Sequence, residues 1–465
     1  MKRYIQIAFH LATLFFLTGT TLSAQVKPIS LHPQNSHYFL YNGKPTVLIT
    51  SGEHYGAVMN PDFDYKIYLK TLQKDGLNLT RTMSGAYFEP SGAFNITKNT
   101  MGPDPQKYLC PWKRASDGIK FDLSQWNEAY FSRLKDFMGE AQKRGVIVEL
   151  SLFCPFYEDT QWVLSPFNSK NNVNGLGDIS RNDVYTIDKN KGLLAVQEKM
   201  VRKLVDELKG FPNLMYEISN EPYFGGITLD WQEYISKVIT DAEKSFVYKH
   251  LITQNIANGS QKIDHPNPLV SVFNFHYATP PVTVTLNYGL NKVIGNNETG
   301  FNGTKDSTYR KQTWEFILTG GGLFNNLDYS FTTDHEDGTF QYPATQPGGG
   351  SVAYRRQLSY LKKFMDSFNF VAMKPDTTVY AGSLTVKNKL IVLSQPGKQY
   401  AMYLMDGKQV NPEIQLPKGN YSLEWINPLN GKIEKREKLR HAGGKVRLAS
   451  PMFKEDIALK MVGKF

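Results

Sequence analysis

The chain has 465 residues, with 41% hydrophobic and 21% charged residues, which excludes wholesale disorder. It is too long for one small core, so a large domain with a smaller companion is expected. The net charge of +10 comes from scattered residues, which argues against nucleic acid as a partner.

Lys2 and Arg3 precede an apolar stretch at 5–17 and then Leu22-Ser-Ala24. That layout predicts a secretory signal peptide over residues 1–24, and hence export to the periplasm or the extracellular space. The apolar stretch is short for a bilayer, and nothing later is longer, so no membrane span is expected. The two cysteines, Cys110 and Cys154, could pair after export or stay free. Neither they nor the nine histidines show ligand spacing, so no metal and no cofactor is expected.

From residue 38 to residue 370, short apolar runs alternate with longer amphipathic stretches. The runs predict strands at 46–50, 77–83, 146–153, 214–219, 251–253, 269–275, 292–295 and 322–327. Several are continuously apolar, as in strands covered on both faces. A helix is expected over 123–143, opened by Asp122 and Gln125 in capping-box spacing, with Trp126, Tyr130, Leu134, Phe137 and Ala141 on one face. Another at 193–208 aligns Val196, Met200, Leu204 and Leu208 before Gly210 and Pro212. Eight such repeats imply an α/β fold, a (β/α)8 TIM barrel spanning residues 25–371. Long connections at 84–121, 154–188 and 332–351 follow strands and so belong at the barrel's C-terminal face, where loops build site walls. The first two carry Tyr87, Phe88, Trp112, Phe156, Tyr157 and Trp162.

Past residue 372 the pattern becomes short alternating runs, at 378–380, 389–394, 400–405 and 421–426, broken by Gly, Pro and Asn. It predicts a small antiparallel β-sandwich over 372–465. Its basic group (Lys432, Lys435, Arg436, Lys438, Arg440) reads as a solvated strand face.

Two segments carry chemistry. Leu214-Met-Tyr-Glu-Ile-Ser-Asn-Glu-Pro222 is an apolar run ending in Asn220-Glu221-Pro222, and Lys292-Val-Ile-Gly-Asn-Asn-Glu-Thr-Gly300 ends similarly at Glu298. A carboxylate at a buried strand end is costly unless something uses it. Strand ends converge at a barrel's C-terminal face, so Glu221 and Glu298 would face each other there. Two facing carboxylates are the requirement of glycoside hydrolysis, one as acid and one as nucleophile or base.

Residues 38–370 resemble clan A glycoside hydrolases, the (β/α)8 retaining enzymes that include family 5 cellulases and mannanases. The resemblance rests on Gly76-Leu-Asn-Leu-Thr-Arg81, Tyr216-Glu-Ile-Ser-Asn-Glu-Pro222, Phe275-His-Tyr277 and the segment 294–300. It implies a carbohydrate substrate, Glu221 as acid/base, Glu298 as nucleophile, Arg81 beside the nucleophile and Asn220 as donor to a sugar hydroxyl. His276 and Tyr277 would bind substrate, with His276 alternatively bonded to the acid/base or a core histidine. In these roles Arg81 would keep Glu298 ionised, while burial and the charge of Glu298 would raise the pKa of Glu221. Glu217 shares side-chain parity with Glu221 and is expected to pair with a buried barrel cation.

Two departures bear on the substrate. Strand eight, Leu323-Phe-Asn-Asn-Leu-Asp-Tyr329, lacks the family's sugar-stacking tryptophan, and strand one ends in Ser51-Gly-Glu-His-Tyr55. Glu53, His54 and Asp328 are therefore candidate substrate contacts, each with a structural role as the alternative. The C-terminal segment is similar to a β-sandwich of Bacteroidetes-type glycosidases whose label mentions collagen binding; packing against the barrel is the expected role. The competing function is a non-catalytic glycan- or collagen-binding protein. A protease would need a His-Glu-x-x-His or a nucleophile triad, neither of which is recognisable in the sequence.

Overall fold

The computed structural model describes residues 27–380, 390–405 and 407–464. The expected signal peptide lies outside the described residues. No helix among them is long and apolar enough to cross a membrane.

Eight parallel strands form the barrel: Leu48–Gly52, Leu79–Met83, Ile147–Ser151, Leu214–Glu217, Leu251–Asn258, Val272–His276, Val293–Glu298 and Leu323–Leu327. Strands two to eight pair in sequence order, and strand eight returns to strand one, with Leu323 opposite Leu48 and Leu327 opposite Gly52. The seam between strands one and two is bridged by the Asn78 side chain. Its Oδ1 accepts from the Ile49 amide at 3.0 Å and its Nδ2 donates to the Val47 carbonyl at 2.9 Å. All eight expected strands are present.

Their edges differ for physical reasons. Strand one starts at Leu48, because Lys44–Thr46 belongs to a three-stranded antiparallel sheet with Phe39–Tyr41 and Ser30–Leu31. That sheet plugs the bottom of the barrel. Its Phe39 and Tyr41, with Ile29, pack on one apolar residue from the start of every barrel strand, from Leu48 to Leu323. Strands five and seven run further than their apolar cores, through Gln254, Asn255, Asn296 and Asn297, because the upper barrel interior is polar.

Leu193–Leu208 is helical as expected, burying Val196, Met200, Leu204 and Leu208. The helix expected from 123 instead begins at Glu128, and Phe121–Trp126 is a strand paired with Trp112–Arg114. Asp122 and Gln125 do bond, at 2.9 Å, but within that hairpin rather than as a cap.

The C-terminal part is a six-stranded antiparallel sheet with a two-stranded ribbon, Glu413–Leu416 and Gly444–Arg447, beside it. Alternation divides its residues. Met402, Leu404, Leu423, Trp425 and Leu459 pack with Ile414 and Leu416 of the ribbon. Ala401, Tyr403 and Ala458 join the barrel's own core. Tyr403 stacks on Trp314 of helix Asp306–Leu318 at 5.3 Å, and Asp456 pairs with Arg310 of the same helix at 2.9 Å. Thr378 and Val379 are not in a strand; Tyr380 alone bridges to Ile414. The basic group lies along the edge strand Ile433–His441, with Arg436, Lys438 and Arg440 exposed.

Candidate active site

Glu221 and Glu298 meet at the C-terminal mouth of the barrel. Both are largely buried, and a carboxylate oxygen of each lies within 4.8 Å of the other. Glu298 ends strand seven; Glu221 follows strand four by four residues and starts the short turn Pro222–Phe224.

Each carboxylate has its own set of donors. Glu298 accepts from Arg81 Nη1 at 3.1 Å, Tyr55 Oη at 2.9 Å and Tyr277 Oη at 2.5 Å. Glu221 accepts from Tyr157 Oη at 2.6 Å and bonds His276 Nδ1 at 3.0 Å. His276 Nδ1 is also 3.6 Å from Glu298, so the imidazole sits between the two. Tyr55, Glu221 and Tyr277 all have left-handed backbones, with φ of 58°, 32° and 51°. Non-glycine residues rarely adopt that conformation, and it concentrates at functional sites.

Arg81 sits fully buried behind the carboxylates. Its guanidinium forks onto Glu217, through Nε at 2.9 Å and through Nη2, while Nη2 also donates to Asn220 Oδ1 at 2.6 Å. Glu217 thus has the buried-cation partner expected of it. Asn220 Nδ2 points to Tyr157 Oη at 2.8 Å. Beneath this layer Glu149 accepts from Thr253, Asn274 and Asn297 but touches no cation among the described residues. Burial and the charge of Glu217 push its pKa up to about 7.

The electrostatics correct one expectation. Burial pushes Glu221 upward, but the His276 hydrogen bond and charge, the Tyr157 hydroxyl and Arg81 outweigh it and hold its pKa low. Burial likewise pulls His276 down, and the charges of Glu298 and Glu221 more than restore it. The opposite shifts favour a proton that leans toward His276 in the 3.0 Å bond to Glu221.

A cavity of about 540 Å³ opens over the pair, lined by His54, Tyr55, Glu89, Asn220, Tyr277 and both carboxylates among others. Arg81 and His276 are not in its wall; they act from behind. Of the three polar candidates, only His54 reaches it, with Nε2 3.4 Å from Glu89. Glu53 turns away to the Gly56 and Ala57 amides, at 2.9 and 3.1 Å, and to Thr100. Asp328 is held by Arg355 at 2.7 Å and Ser51 at 3.0 Å. Both carboxyl groups brace loops instead of facing the cavity.

Sequence reasoning assigned no role to Tyr157, Tyr55, Glu89, or the cavity-lining Phe94, Phe224 and Phe301. The surplus of loop aromatics was the available signal, but no spacing tells which ring reaches a carboxylate. Cys110 and Cys154 are both buried and free. Among the described residues, Glu221, His276 and Glu298 form the one group dense enough in ligand atoms for a metal ion. Arg81 already supplies a cation 3.1 Å from Glu298, and His276 a second when protonated, so the donor set suits a proton better than a metal.

No family model and no curated protein matches the sequence. Solved structures match in fold. One described as a glycoside hydrolase has a TM-score of 0.64 at 14% identity, covering 94% of this chain and 97% of that one. A glycoside hydrolase family 5 protein from Bacteroides vulgatus ATCC 8482 has 0.63 at 13%, covering 94% and 93%. A family 5 mannosidase from Rhizomucor miehei has 0.51 at 14%, covering 74% of this chain and 100% of that one. At these identities the likeness is one of fold.

Proposed function

We propose that the chain is an exported glycoside hydrolase that cleaves an O-glycosidic bond by double displacement, with Glu298 as nucleophile and Glu221 as acid/base. The observation that carries this reading is that one carboxylate oxygen of Glu221 lies within 4.8 Å of one of Glu298, an approach that favours the shorter of two carboxyl separations. Retaining enzymes hold theirs ~5–5.5 Å apart, whereas ~6.5–9.5 Å leaves room for an attacking water. The fold shared with proteins described as glycoside hydrolases supports the same chemistry.

The donors around each carboxylate suit the two roles. Arg81, Tyr55 and Tyr277 fix Glu298 for attack on the anomeric carbon. As a Glu298 oxygen bonds to the anomeric carbon, the glycosidic bond to the departing oxygen breaks, and the resulting ester no longer carries the carboxylate charge. That charge helps hold the proton on His276, so its loss favours transfer across the 3.0 Å bond to Glu221 and on to the departing oxygen. In the second half Glu221 removes a proton from water, the water oxygen bonds to the anomeric carbon, and Glu298 leaves. Export rests on the Lys2-Arg3 and apolar 5–17 layout. The Arg310–Asp456 pair and the Tyr403–Trp314 stack favour a bracing role for the C-terminal sheets.

The test is a panel of nitrophenyl glycosides with wild type and Glu298→Ala. Wild type should turn over at least one member. The variant should lose turnover by a factor of at least ~10⁴ while keeping its fold, and added azide should restore it by forming a glycosyl azide. Undiminished activity in the variant would remove Glu298 from the mechanism.

A further inference from the structure

Among the described residues, Phe94, Phe224 and Phe301 are the only exposed members of the Phe, Tyr and Trp set, at 41%, 50% and 40% exposure. All three line the one cavity over Glu221 and Glu298. Isolated exposed apolar residues need no explanation, but three phenylalanines gathered on one cavity do.

Two of them belong to the acid's side. Phe224 follows Glu221 by three residues on the turn Pro222–Phe224. Phe94 sits at the tip of the first long loop with φ of 54°, an unfavourable backbone for a bulky side chain. The loop is pinned there by Asn95 Nδ2 to the Thr345 carbonyl at 3.0 Å and by the Thr97 amide to Gln346 at 3.2 Å. Both rings meet Tyr157 edge to face, with centroids 5.4 Å away in each case. Tyr157 is the residue that donates to Glu221 at 2.6 Å. Phe301 stands on the other side, against Tyr277, the donor to Glu298.

We infer that Phe94, Tyr157 and Phe224 form a leaving-group subsite that takes an apolar aglycone, aryl or alkyl, rather than a second sugar. The inference rests on the hydrolase proposal. In that chemistry the acid protonates the departing oxygen, so the departing substituent lies on the side of Glu221. The rings of Phe94, Tyr157 and Phe224 make up most of the surface it meets there, with Asn258 at its edge. The one hydroxyl of Tyr157 is occupied by Glu221 and Asn220. Tyr223, packed on Phe224 at 5.4 Å, has its own hydroxyl on Asn258 at 2.6 Å. The cavity's other close His–Glu pair, His54 and Glu89, belongs to the first barrel strand's end and the loop after the second. A sugar could stack one face on these rings but would find few partners for its hydroxyls in the wall, chiefly Asn258 and Thr279, whereas an apolar group removes exposed ring surface from water.

The test uses the nitrophenyl glycoside turned over best in the panel and the glycosyl fluoride of the same sugar, whose leaving group fills no subsite. Phe94→Ala and Phe224→Ala should each lower the ratio of kcat/KM on the aryl glycoside to that on the fluoride about tenfold, equivalent to ~1.4 kcal/mol. With the fluoride as donor, the acceptor 2-phenylethanol at equal concentration should capture more of the glycosyl group than glucose does. Its hydroxyl oxygen bonds to the anomeric carbon as the ester to Glu298 breaks, and its proton passes to Glu221. Both alanine variants should lose that preference. A ratio unchanged in both variants, or a wild type that favours glucose, would overturn the subsite. No turnover of the fluoride by wild type would instead sink the hydrolase proposal, and the subsite with it.

Discussion

Glu149→Gln asks how the barrel interior tolerates a carboxyl group with no cation beside the Arg81–Glu217 pair. Burial and the charge of Glu217 raise the Glu149 pKa from 4.5 to about 7. A raised carboxyl binds its proton more tightly folded than unfolded. Its contribution to stability is therefore complete below about pH 4.5 and is lost as pH climbs through about 7. At 1.36 kcal/mol per pKa unit, the loss for this one group approaches ~3 kcal/mol. Glutamine is nearly isosteric with the protonated acid and has no proton to lose. Unfolding free energies of wild type and variant, from urea titrations at intervals between pH 5 and pH 8, isolate the effect as a double difference. The variant should gain on wild type by up to ~3 kcal/mol over that range, with most of the gain by pH 7.5. A difference that stays constant with pH would mean that Glu149 is ionised throughout, and would refute the account of the interior. Glu53, also raised to about 7 by burial but braced against the Gly56 and Ala57 amides, should behave the same way.

Two further outcomes follow from the buried pairs and thiols. Arg81→Met should destabilise the barrel by ~3–5 kcal/mol, because Glu217 is left buried without its cation, with only Ser151 and Asn297 as donors. Adding Glu217→Gln should recover much of that stability in denaturant titrations without recovering turnover, since Glu298 still lacks its guanidinium. Burial pushes the Cys110 thiol up to about 12 and Cys154 well above the ordinary thiol range. Both thiols should therefore ignore a thiol reagent in native protein and react when it is denatured, and a reducing agent should leave the melting temperature unchanged.

The barrel was readable because its strands begin in apolar residues, so all eight barrel strands overlap the runs that periodicity marks, with shifted ends, and Leu193–Leu208 matches in full. Periodicity misled where pairing overrode it, as at Phe121–Trp126, whose capping-like Asp122 and Gln125 serve a hairpin. It also fell short where strands five and seven enter a polar interior, since buried Asn and Gln look like loop residues in a sequence. Glu221, Glu298, Arg81 and Asn220 were legible because strand ends converge in a barrel. Tyr157 and Phe94 were not, because loop conformation alone brings them to the acid. The downward shift of the Glu221 pKa could not be foreseen either. It depends on His276 lying 3.0 Å from one carboxylate and 3.6 Å from the other, a detail of side-chain placement.

The central claim is that Glu298 becomes covalently bonded to the sugar. The most direct measurement is to incubate wild type with an activated 2-deoxy-2-fluoro glycoside of the preferred sugar, which slows release of the intermediate, and to follow the intact mass and the peptide map. The account predicts a mass increase of one fluorosugar per chain, carried by the peptide containing Glu298 and absent from Glu298→Ala. Label on another residue, or turnover that inverts the anomeric centre with no labelled species, would contradict it.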